Sequence, residues 1–292
     1  MTQFKPQNNN CFNCLHKTCQ MSIEELLEKD FIEPKTKKHY IYKNIPDSFF
    51  LKAINLYRFL HGNEKVRYNR LSKNHWVIHY PDYDLHCPSS RWYQVTMDKF
   101  SQRFEAFYPI EKNDVCVDIG SCIGDTTLPM VIKTGNGGKV FAVEPMPDNL
   151  HFLKLNVGQY PNVKIIPKAV SDKKGELTFY LHDTPTGHSL ISLSERKFGE
   201  IKVNCDTLDN LLDDMMIDFC KIDIQGSEID VLKAADKFFD NVNKLVVETH
   251  FRYDPVKNTY KDCLKILNKF DFDIRFCIYE SAVIHAKKRS KK

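Results

Sequence analysis

Short apolar runs alternate with amphipathic stretches over the second half of the chain. The apolar runs predict buried strands at Val115–Ile119, Lys139–Val143, Val163–Pro167, Phe219–Ile224, Lys244–Thr249, Ile274–Ile278 and Ala282–His285. Helical spacing of apolar residues falls between several of them, over Thr126–Lys133, Asn149–Tyr160, Glu228–Phe238 and Tyr260–Phe270. This alternation predicts an α/β fold with a doubly wound, seven-stranded, mostly parallel sheet covered on both faces. The last two strands are too close for a crossover helix, so we expect a C-terminal antiparallel hairpin.

One segment interrupts this alternation. Leu177–Tyr180 and Ile201–Val203 predict two additional strands around a loop rich in Ser, Thr and Gly. The stretch Pro185–Ser189 within that loop could cover a substrate, although loops of this composition are commonly just connections.

The first part of the chain follows a different pattern. Ser22 and Glu25 have the spacing of a capping box before a helical face, and a second helix is predicted from Asp47 to a stop at Gly62. A strand is expected at His75–Tyr80 and a short helix at Lys99–Tyr108. We therefore divide the chain into an N-terminal helical extension (1–99), an α/β domain (100–286) and a basic tail (287–292).

Composition and charge narrow the class of protein. The 292 residues are 42% hydrophobic and 27% charged, which is ordinary for a folded domain and excludes a collagen, a coiled coil or a wholly disordered chain. No apolar run is long enough to span a membrane, and the first residues do not resemble a secretory signal. Ten cysteines without an export signal favour a reducing, cytoplasmic location.

The charge is unevenly distributed along the chain. Residues 1–110 carry +5, residues 111–286 carry −6 and the last six residues carry +5. An acidic central domain argues against nucleic acid as its partner, and the basic tail is typical of a solvated terminus. The sequence gives no indication of oligomeric state.

The strongest local motif follows the first predicted strand of the sheet. It has the spacing D-x-G-x-x-x-G: Asp118, Gly120, Ser121 and Gly124 lie on a turn that leads into a helix. Glycine permits a sharp turn and the close approach of a ligand, and the helix presents free N–H groups to it. A dinucleotide-binding loop would have glycine at position 118; a carboxylate there is a poor neighbour for a pyrophosphate but a good partner for an ammonium group.

A second acid, Glu144, ends the next predicted strand, 20 residues after Gly124. A carboxylate in this position can accept hydrogen bonds from both hydroxyls of a ribose. Either acid alone could be a capping or surface residue. The two together, in this order and at this spacing, predict a site for a nucleoside that carries an amino acid.

At this point the sequence resembles the class I S-adenosylmethionine-dependent methyltransferases, and further blocks narrow the resemblance to the FkbM family. In order, these blocks are Lys168–Asp172 with Gly175–Leu177, then Cys205–Asp209, then Lys221–Glu228, and finally Val246–His250. The resemblance covers residues 100–286. The third block usually reads K-I-D-x-E-G-x-E in the family, whereas this chain has Gln225 in place of the second acid, which removes one charge near the predicted site.

The resemblance implies a Rossmann-like fold, S-adenosyl-L-methionine as the cofactor and methyl transfer to a hydroxyl of a sugar or natural product. Its implied cofactor-binding residues are Asp118, Gly120, Ser121, Gly124, Glu144 and Asp223. A sulfonium methyl group is already activated, so the protein mainly has to place an oxygen in line with it and accept a proton.

The candidates for the catalytic role lie at or after the ends of the fourth and fifth predicted strands, and they are Asp223, Glu228 and His250. Asp223 lies at the end of a central strand and could accept the hydroxyl proton or hold the cofactor's amino group. Glu228 and His250 could face the same cleft. Glu228 could instead complement a helix dipole, and His250 could be a structural histidine.

Two further readings of the chain compete with methyl transfer. The first is an NAD-dependent oxidoreductase on a related sheet, which Asp118 disfavours. The second is a metal-stapled module that binds RNA or an anionic surface. It would use the cluster Cys11, Cys14, His16 and Cys19, which could hold zinc or, with a fourth thiolate, an iron–sulfur cluster. Because no second C-x-x-C pair follows, a reduced, thiol-rich segment is the favoured interpretation, and we predict no metal site.

Overall fold

The computed structural model of the chain describes residues 22–28, six positions between 49 and 60, and residues 67–89, 97–181, 199–252, 254–279 and 281–289. The cysteine cluster at 11–19 and the loop at 185–189 lie outside these residues, as does most of the helix predicted after Asp47. The described positions between 49 and 60 are helical.

The N-terminal region contains helices and a small sheet. Its elements are α1 (Ile23–Glu28), β1 (Arg67–Ser72), β2 (His75–His79), β3 (Asp84–Cys87) and α2 (Met97–Phe104). The capping box is present in both directions: Glu25 N–H donates to Ser22 Oγ at 3.2 Å, and Ser22 N–H donates to Glu25 Oε2 at 2.7 Å. Strands β1, β2 and β3 pair in an antiparallel meander, of which the sequence pattern predicted only the middle strand.

The remaining elements alternate as predicted. In chain order they are β4 (Val115–Ile119), α3 (Thr127–Thr134), β5 (Lys139–Val143), α4 (Pro147–Val157), β6 (Val163–Ile166), β7 (Ala169–Val170), β8 (Gly175–Leu181), β9 (Gly199–Asp206), α5 (Leu208–Leu212), β10 (Ile217–Ile222), α6 (Glu228–Lys233), α7 (Asp236–Asn241), β11 (Val242–Thr249), β12 (Phe251–Arg252), β13 (Asp254–Asn258), α8 (Tyr260–Leu267), β14 (Phe272–Tyr279) and β15 (Ser281–Lys288).

Seven strands form the central sheet in the order β14-β15-β11-β10-β4-β5-β6. Only β15 runs against its neighbours, pairing antiparallel with β11 and with β14. The predicted fold class and the C-terminal hairpin are therefore confirmed. The chain leaves β4 toward β5 on one side and later returns through β10 on the other, so the topological switch point lies at the carboxyl end of β4.

The buried core explains why these segments are strands. Residues of β4, β10 and β11 are buried on both faces, and helices on either side cover them. Continuous apolar runs of this kind are typical of parallel strands inside a three-layer domain. The two predicted extra strands are also present, as β8 and β9 of a separate three-stranded sheet with β7.

The helix predicted at Glu228–Phe238 is two helices, α6 and α7. The break has a tertiary cause: the side chain of Asp209, from α5, accepts hydrogen bonds from the backbone N–H groups of Lys237 and Phe238 at 3.2 and 2.8 Å. These bonds satisfy the exposed donors of a new helix N-terminus. A cap supplied from 28 residues away cannot be read from local periodicity.

The N-terminal meander packs against the region of the sheet that follows β4. Trp76, Ile78 and Leu85 share a buried cluster with Ile123 and Leu153. Asn156 of α4 joins the layers, because its side-chain amide donates to the carbonyls of Ile123 and His86 at 2.7 and 2.9 Å. The meander therefore supports the turn that carries the glycine motif.

Two elements cross the predicted domain boundaries. Helix α2 crosses the predicted division at residue 99, and β15 extends through Lys288 into the segment predicted as a basic tail. In the part of the chain that the structure describes, none of the helices combines the length and apolar character that crossing a bilayer requires.

Candidate active site

Four strand ends bring the predicted site residues to one edge of the sheet. Asp118 is the penultimate residue of β4, and Glu144 directly follows β5. Asp223 directly follows β10, and His250 directly follows β11. Because parallel strands all present their carboxyl ends at the same edge, these residues surround the topological switch point.

Gly120 makes the closest approach between two of these strand ends. Its φ is +77°, and a Cβ atom at this position would overlap the backbone carbonyl oxygen of Asp223. The N–H groups of Gly120 and Ser121 both donate to the Val143 carbonyl, at 3.0 and 3.1 Å. The turn after β4 is thus fastened to the ends of both β5 and β10, and only glycine fits at its start.

Ser121 and Gly124 complete the turn. Ser121 is fully buried, and its Oγ has no hydrogen-bond partner among the residues that the structure describes. Gly124 has a φ of +92°, and a Cβ atom at this position would lie 3.0 Å from the Leu153 side chain on α4. A buried hydroxyl without a partner costs free energy unless a ligand supplies one.

Asp118 is fully buried, and both of its carboxylate oxygens accept hydrogen bonds from other residues of the chain. Its side chain is 0% exposed, and Oδ2 accepts hydrogen bonds from the hydroxyls of Thr126 and Thr127, both at 2.7 Å. Its other oxygen accepts a hydrogen bond from Lys221 Nζ at 3.0 Å. The carboxylate is therefore occupied by the chain's own donors and fixes the start of α3 to β10.

Lys221 links Asp118 to the exposed part of the site. Its side chain is 1% exposed, and Nζ lies 3.7 Å from Asp223 Oδ2 as well as 3.0 Å from Asp118 Oδ1. Burial alone would lower the pKa of this amine, but the two carboxylates raise it above its usual range. Lys221 is accordingly a permanent cation between two acids.

Glu144 is buried at the end of β5, with its oxygens held by neighbouring donors. Oε1 accepts from the Met146 N–H at 2.9 Å and from Asn149 Nδ2 at 3.1 Å, and Oε2 accepts from the Cys122 N–H at 2.9 Å. Burial raises the pKa of this carboxyl to about 7, against the lowering effect of these donors. The group is rigidly positioned and has remaining acceptor capacity for ribose hydroxyls.

Asp223 and His250 are the partly exposed members of a polar cluster. Their side chains are 22% and 17% exposed, and Asp223 Oδ1 lies 3.5 Å from His250 Nε2. Burial and the nearby Glu248 raise the pKa of Asp223, although Lys221 and His250 oppose the rise. The amide nitrogen of Gln225 lies 3.0 Å from Asp223 Oδ1 and 3.1 Å from His250 Nε2, so it bridges the two.

Glu228 holds the other nitrogen of the imidazole. Its Oε1 lies 2.8 Å from His250 Nδ1 and also accepts from the Gly226 N–H at 2.9 Å, while Thr259 Oγ1 donates to Oε2 at 3.3 Å. Burial alone would lower the pKa of His250, but hydrogen bonds to Glu228 and Glu248 raise it well above 6.5. Glu228 is fully buried and therefore orients His250 without facing open space.

Glu248 of β11 forms an ion pair that the sequence did not predict. Arg103 of α2 donates to Glu248 Oε1 and to Ser281 Oγ, the latter at 2.9 Å. Burial raises the pKa of Glu248, but the Arg103 guanidinium outweighs it and holds the pKa well below its usual range. Helix α2 is thereby fastened to the base of the polar cluster.

The cluster has more acids than bases. Among the described residues, four acids, Asp118, Asp223, Glu228 and Glu248, face the permanent cations Lys221 and Arg103 and the imidazole of His250. Asp223, Glu248 and His250 have donor atoms within 4.8 Å of one another and could hold a divalent cation by ligand type. However, the Arg103 guanidinium already neutralises Glu248, so we interpret the group as a hydrogen-bonded network that favours a cationic ligand.

Comparison with known proteins agrees with this geometry. The model of the methyltransferase FkbM domain matches residues 118–274, which is more than half of the chain. The chain belongs to the methyltransferase FkbM family. The family resemblance, the fold class and S-adenosyl-L-methionine as the cofactor are therefore confirmed at the level of the family.

The relatives of this FkbM-family chain include one curated protein and several solved structures. The hexuronic acid methyltransferase AglP of Haloferax volcanii is 28% identical over 163 residues, which are 54% of this chain and 63% of that protein. A methyltransferase FkbM from Methylobacillus flagellatus is 18% identical with a TM-score of 0.47, covering 64% of this chain and 47% of that one. M. jannaschii TYW2 in complex with AdoMet is 16% identical with a TM-score of 0.43, covering 76% and 90%.

Three charged residues of the polar cluster were not predicted from the sequence. Lys221 and Glu248 lie inside the quoted blocks but had no assigned role, and Arg103 lies on a helix outside the sheet. The signal for Lys221 was present, because a lysine in an apolar strand two residues before an acid needs a buried partner. Arg103 had no such signal, since its partner is 145 residues away.

Proposed function

We propose that the protein transfers the methyl group of S-adenosyl-L-methionine to a hydroxyl oxygen of a sugar or natural-product acceptor. The observation that carries this proposal is the surplus of buried carboxylates over cations at the switch point. A ligand with a sulfonium and an ammonium group is stabilised there, and a pyrophosphate is repelled.

The residues around the turn fit the cofactor. Gly120 lets the turn after β4 pack against the Asp223 carbonyl, Ser121 Oγ is a buried hydroxyl without a partner in the described chain, and Glu144 offers acceptors to a ribose. We assign the ammonium contact to Asp223 rather than Asp118, because Asp223 adjoins Gly120 and is partly exposed. Asp118 holds Lys221 and α3 in place beneath it.

When bound, the cofactor supplies an electrophilic methyl group on a positively charged sulfur. The chain's own residues then have to orient an acceptor oxygen and receive its proton. We assign the proton to Nε2 of the neutral His250 ring, because Nδ1 is held by Glu228 at 2.8 Å. The neutral ring is populated as the pH rises above the raised pKa of His250. Asp223, at 3.5 Å from Nε2, stabilises the imidazolium that results.

A sugar hydroxyl is the acceptor we favour. The relative from Haloferax volcanii is named a hexuronic acid methyltransferase, and it is 28% identical to this chain over 163 residues. The alignment spans 63% of that protein, so both the activity and the acceptor of this chain are proposals.

The other two readings fit the described residues less well. A nicotinamide dehydrogenase would have to place a pyrophosphate against the acidic cluster. A metal-stapled module for RNA would rest on the cysteine cluster, which lies outside the described residues.

The seven cysteines at described positions are free thiols, which supports our proposal of a reducing cytoplasmic location.

Calorimetry followed by an activity screen tests the proposal. We expect S-adenosylmethionine or S-adenosylhomocysteine to bind the full chain and NAD not to bind. Incubation with glucuronic and galacturonic acid oligosaccharides and with neutral glycans should then give a mass gain of one methyl group. Binding of NAD but not S-adenosylhomocysteine would refute the cofactor assignment, and methylation of a nitrogen or carbon atom alone would refute the hydroxyl acceptor.

A further inference from the structure

The amide of Gln225 lies between the two partly exposed members of the acidic cluster. The backbone φ of Gln225 is +53°, which is uncommon for a residue other than glycine. Strained positions of this kind are retained where the surrounding structure requires them and are concentrated at functional sites.

The hydrogen bonds of Gln225 depend on the protonation of His250. In the neutral ring, Nδ1–H donates to Glu228 and the Nε2 lone pair accepts from the Gln225 amide at 3.1 Å. The same amide nitrogen donates to Asp223 Oδ1 at 3.0 Å. In this arrangement the amide group of Gln225 donates to both an ionised Asp223 and a neutral His250.

A protonated His250 reverses the requirement at Nε2. The ring then carries a second N–H, which a Gln225 amide can accept by turning its Oε1 toward the ring. In that orientation the amide no longer donates to Asp223, and the ionised Asp223 faces the imidazolium directly, 3.5 Å from Nε2. The Gln225 side chain can therefore pair with either state of His250.

A glutamate at position 225 would behave differently. Its carboxylate would pair only with the protonated ring, and it would add a further negative charge about 3 Å from Nε2. His250 already faces Glu228 from α6, Glu248 from β11 and Asp223 from the loop after β10, with Lys221 and Arg103 as the opposing cations. A further carboxylate would hold the proton on the ring more tightly.

We propose that Gln225 is a positioning residue that keeps His250 able to release and accept a proton, by hydrogen-bonding both forms of the ring without adding charge. This inference rests on the proposed function, since it concerns the proton that the acceptor hydroxyl loses. It predicts that the enzyme works at a lower pH than a version with glutamate at this position.

The test compares Gln225→Glu with the parent and with Gln159→Glu. Gln159 is exposed beyond the end of α4, toward the opposite edge of the sheet, so the control adds the same charge away from the cluster. We expect Gln225→Glu to shift the midpoint of the acid limb of the kcat–pH profile upward by about one pH unit or more. At pH values below that midpoint, this shift corresponds to at least a tenfold loss of turnover. Turnover should recover at high pH, and Gln159→Glu should match the parent.

A measurement without turnover separates this inference from the proposed function. Nitrogen-15 NMR of the histidine rings follows the titration of His250 in the free protein, and the His250 midpoint should rise by the same amount in Gln225→Glu. Gln225→Met keeps the length without charge or hydrogen bonds, and it should lower turnover without raising the midpoint. An unchanged midpoint in Gln225→Glu, an equal loss of activity at every pH, or an upward shift in both variants would overturn the proposal. An inactive parent with the predicted NMR shift would instead refute only the proposed reaction.

Discussion

Lys221 Nζ lies 3.0 Å from Asp118 Oδ1, and both side chains are buried almost completely. The pair joins the carboxyl ends of two adjacent parallel strands, β4 and β10, directly beneath the glycine turn. We propose that Asp118 supports the turn from below and that Asp223 contacts the cofactor.

Removing one member of this pair should destabilise the fold. We expect Asp118→Asn to lower the free energy of unfolding by about 3 kcal/mol, because it leaves the buried Lys221 ammonium with a single carboxylate, Asp223, at 3.7 Å. Urea denaturation followed by circular dichroism measures this change. If the variant unfolds like the parent and yet loses cofactor binding in calorimetry, Asp118 contacts the cofactor directly and our reassignment to Asp223 is wrong.

Gly120 and Gly135 provide a matched pair of glycine substitutions. Both have positive φ, +77° and +68°, but a Cβ on Gly120 would overlap the Asp223 carbonyl, whereas a Cβ on Gly135 meets nothing within 4 Å. We expect Gly135→Ala to cost about 1 kcal/mol of stability from backbone strain alone and to leave cofactor binding intact. Gly120→Ala should cost more and abolish binding of S-adenosylhomocysteine. Equal effects of the two changes would contradict the close approach at Gly120.

Glu144 should make cofactor binding depend on pH. Its folded-state pKa of about 7 exceeds the ordinary value of 4.5, so its contribution to stability is present below pH 4.5 and is lost as the pH rises through 7. Hydrogen bonds from ribose hydroxyls favour the ionised form, so affinity for S-adenosylhomocysteine should weaken as the pH falls from 8 to 6. Calorimetry of Glu144→Gln should show weaker binding with little dependence on pH. A parent affinity that is constant over this range would argue against a ribose contact.

Asp223→Asn tests the ammonium contact. The substitution keeps the shape and the hydrogen bond to Gln225 but removes the charge beside Gly120. We expect kcat/KM for S-adenosylmethionine to fall at least tenfold, or about 1.4 kcal/mol. Direct binding should weaken in parallel. Kinetics like those of the parent would remove Asp223 from the site.

Glu228→Gln tests the orientation of His250. Glu228 accepts from His250 Nδ1 at 2.8 Å, so its charge both fixes the ring and raises the pKa of His250. We expect turnover to fall about tenfold or more and the acid limb of the profile to move to lower pH, opposite in direction to Gln225→Glu. Cofactor affinity should change little, because Glu228 is fully buried. If the acid limb shifts upward or does not shift, Glu228 does not raise the pKa of His250, and its role is to stabilise the N-terminus of α6.

Part of the site could be predicted from sequence because it depends on strand ends. An apolar run that stops at an acid places that acid at the edge of a parallel sheet, and the structure has Asp118, Glu144 and Asp223 at such strand ends. The sequence could not show which of their carboxylate oxygens remain available to a ligand. Whether Asp118 faces a ligand or Lys221 depends on the side chain across the strand pair, and that pairing is set by sheet register.

The sequence by itself determined the order of strands and helices, the sharp turn at Gly120 and the family of the chain, because apolar periodicity and glycine spacing act over a few residues. The tertiary structure alone decided the contacts between distant segments. Arg103 reaches Glu248 across 145 residues, and Asp209 starts a helix that periodicity had merged with its neighbour. The reason is physical: a buried charge or an open helix end is satisfied by whichever partner the packed layers bring within hydrogen-bonding distance, wherever it lies in the chain.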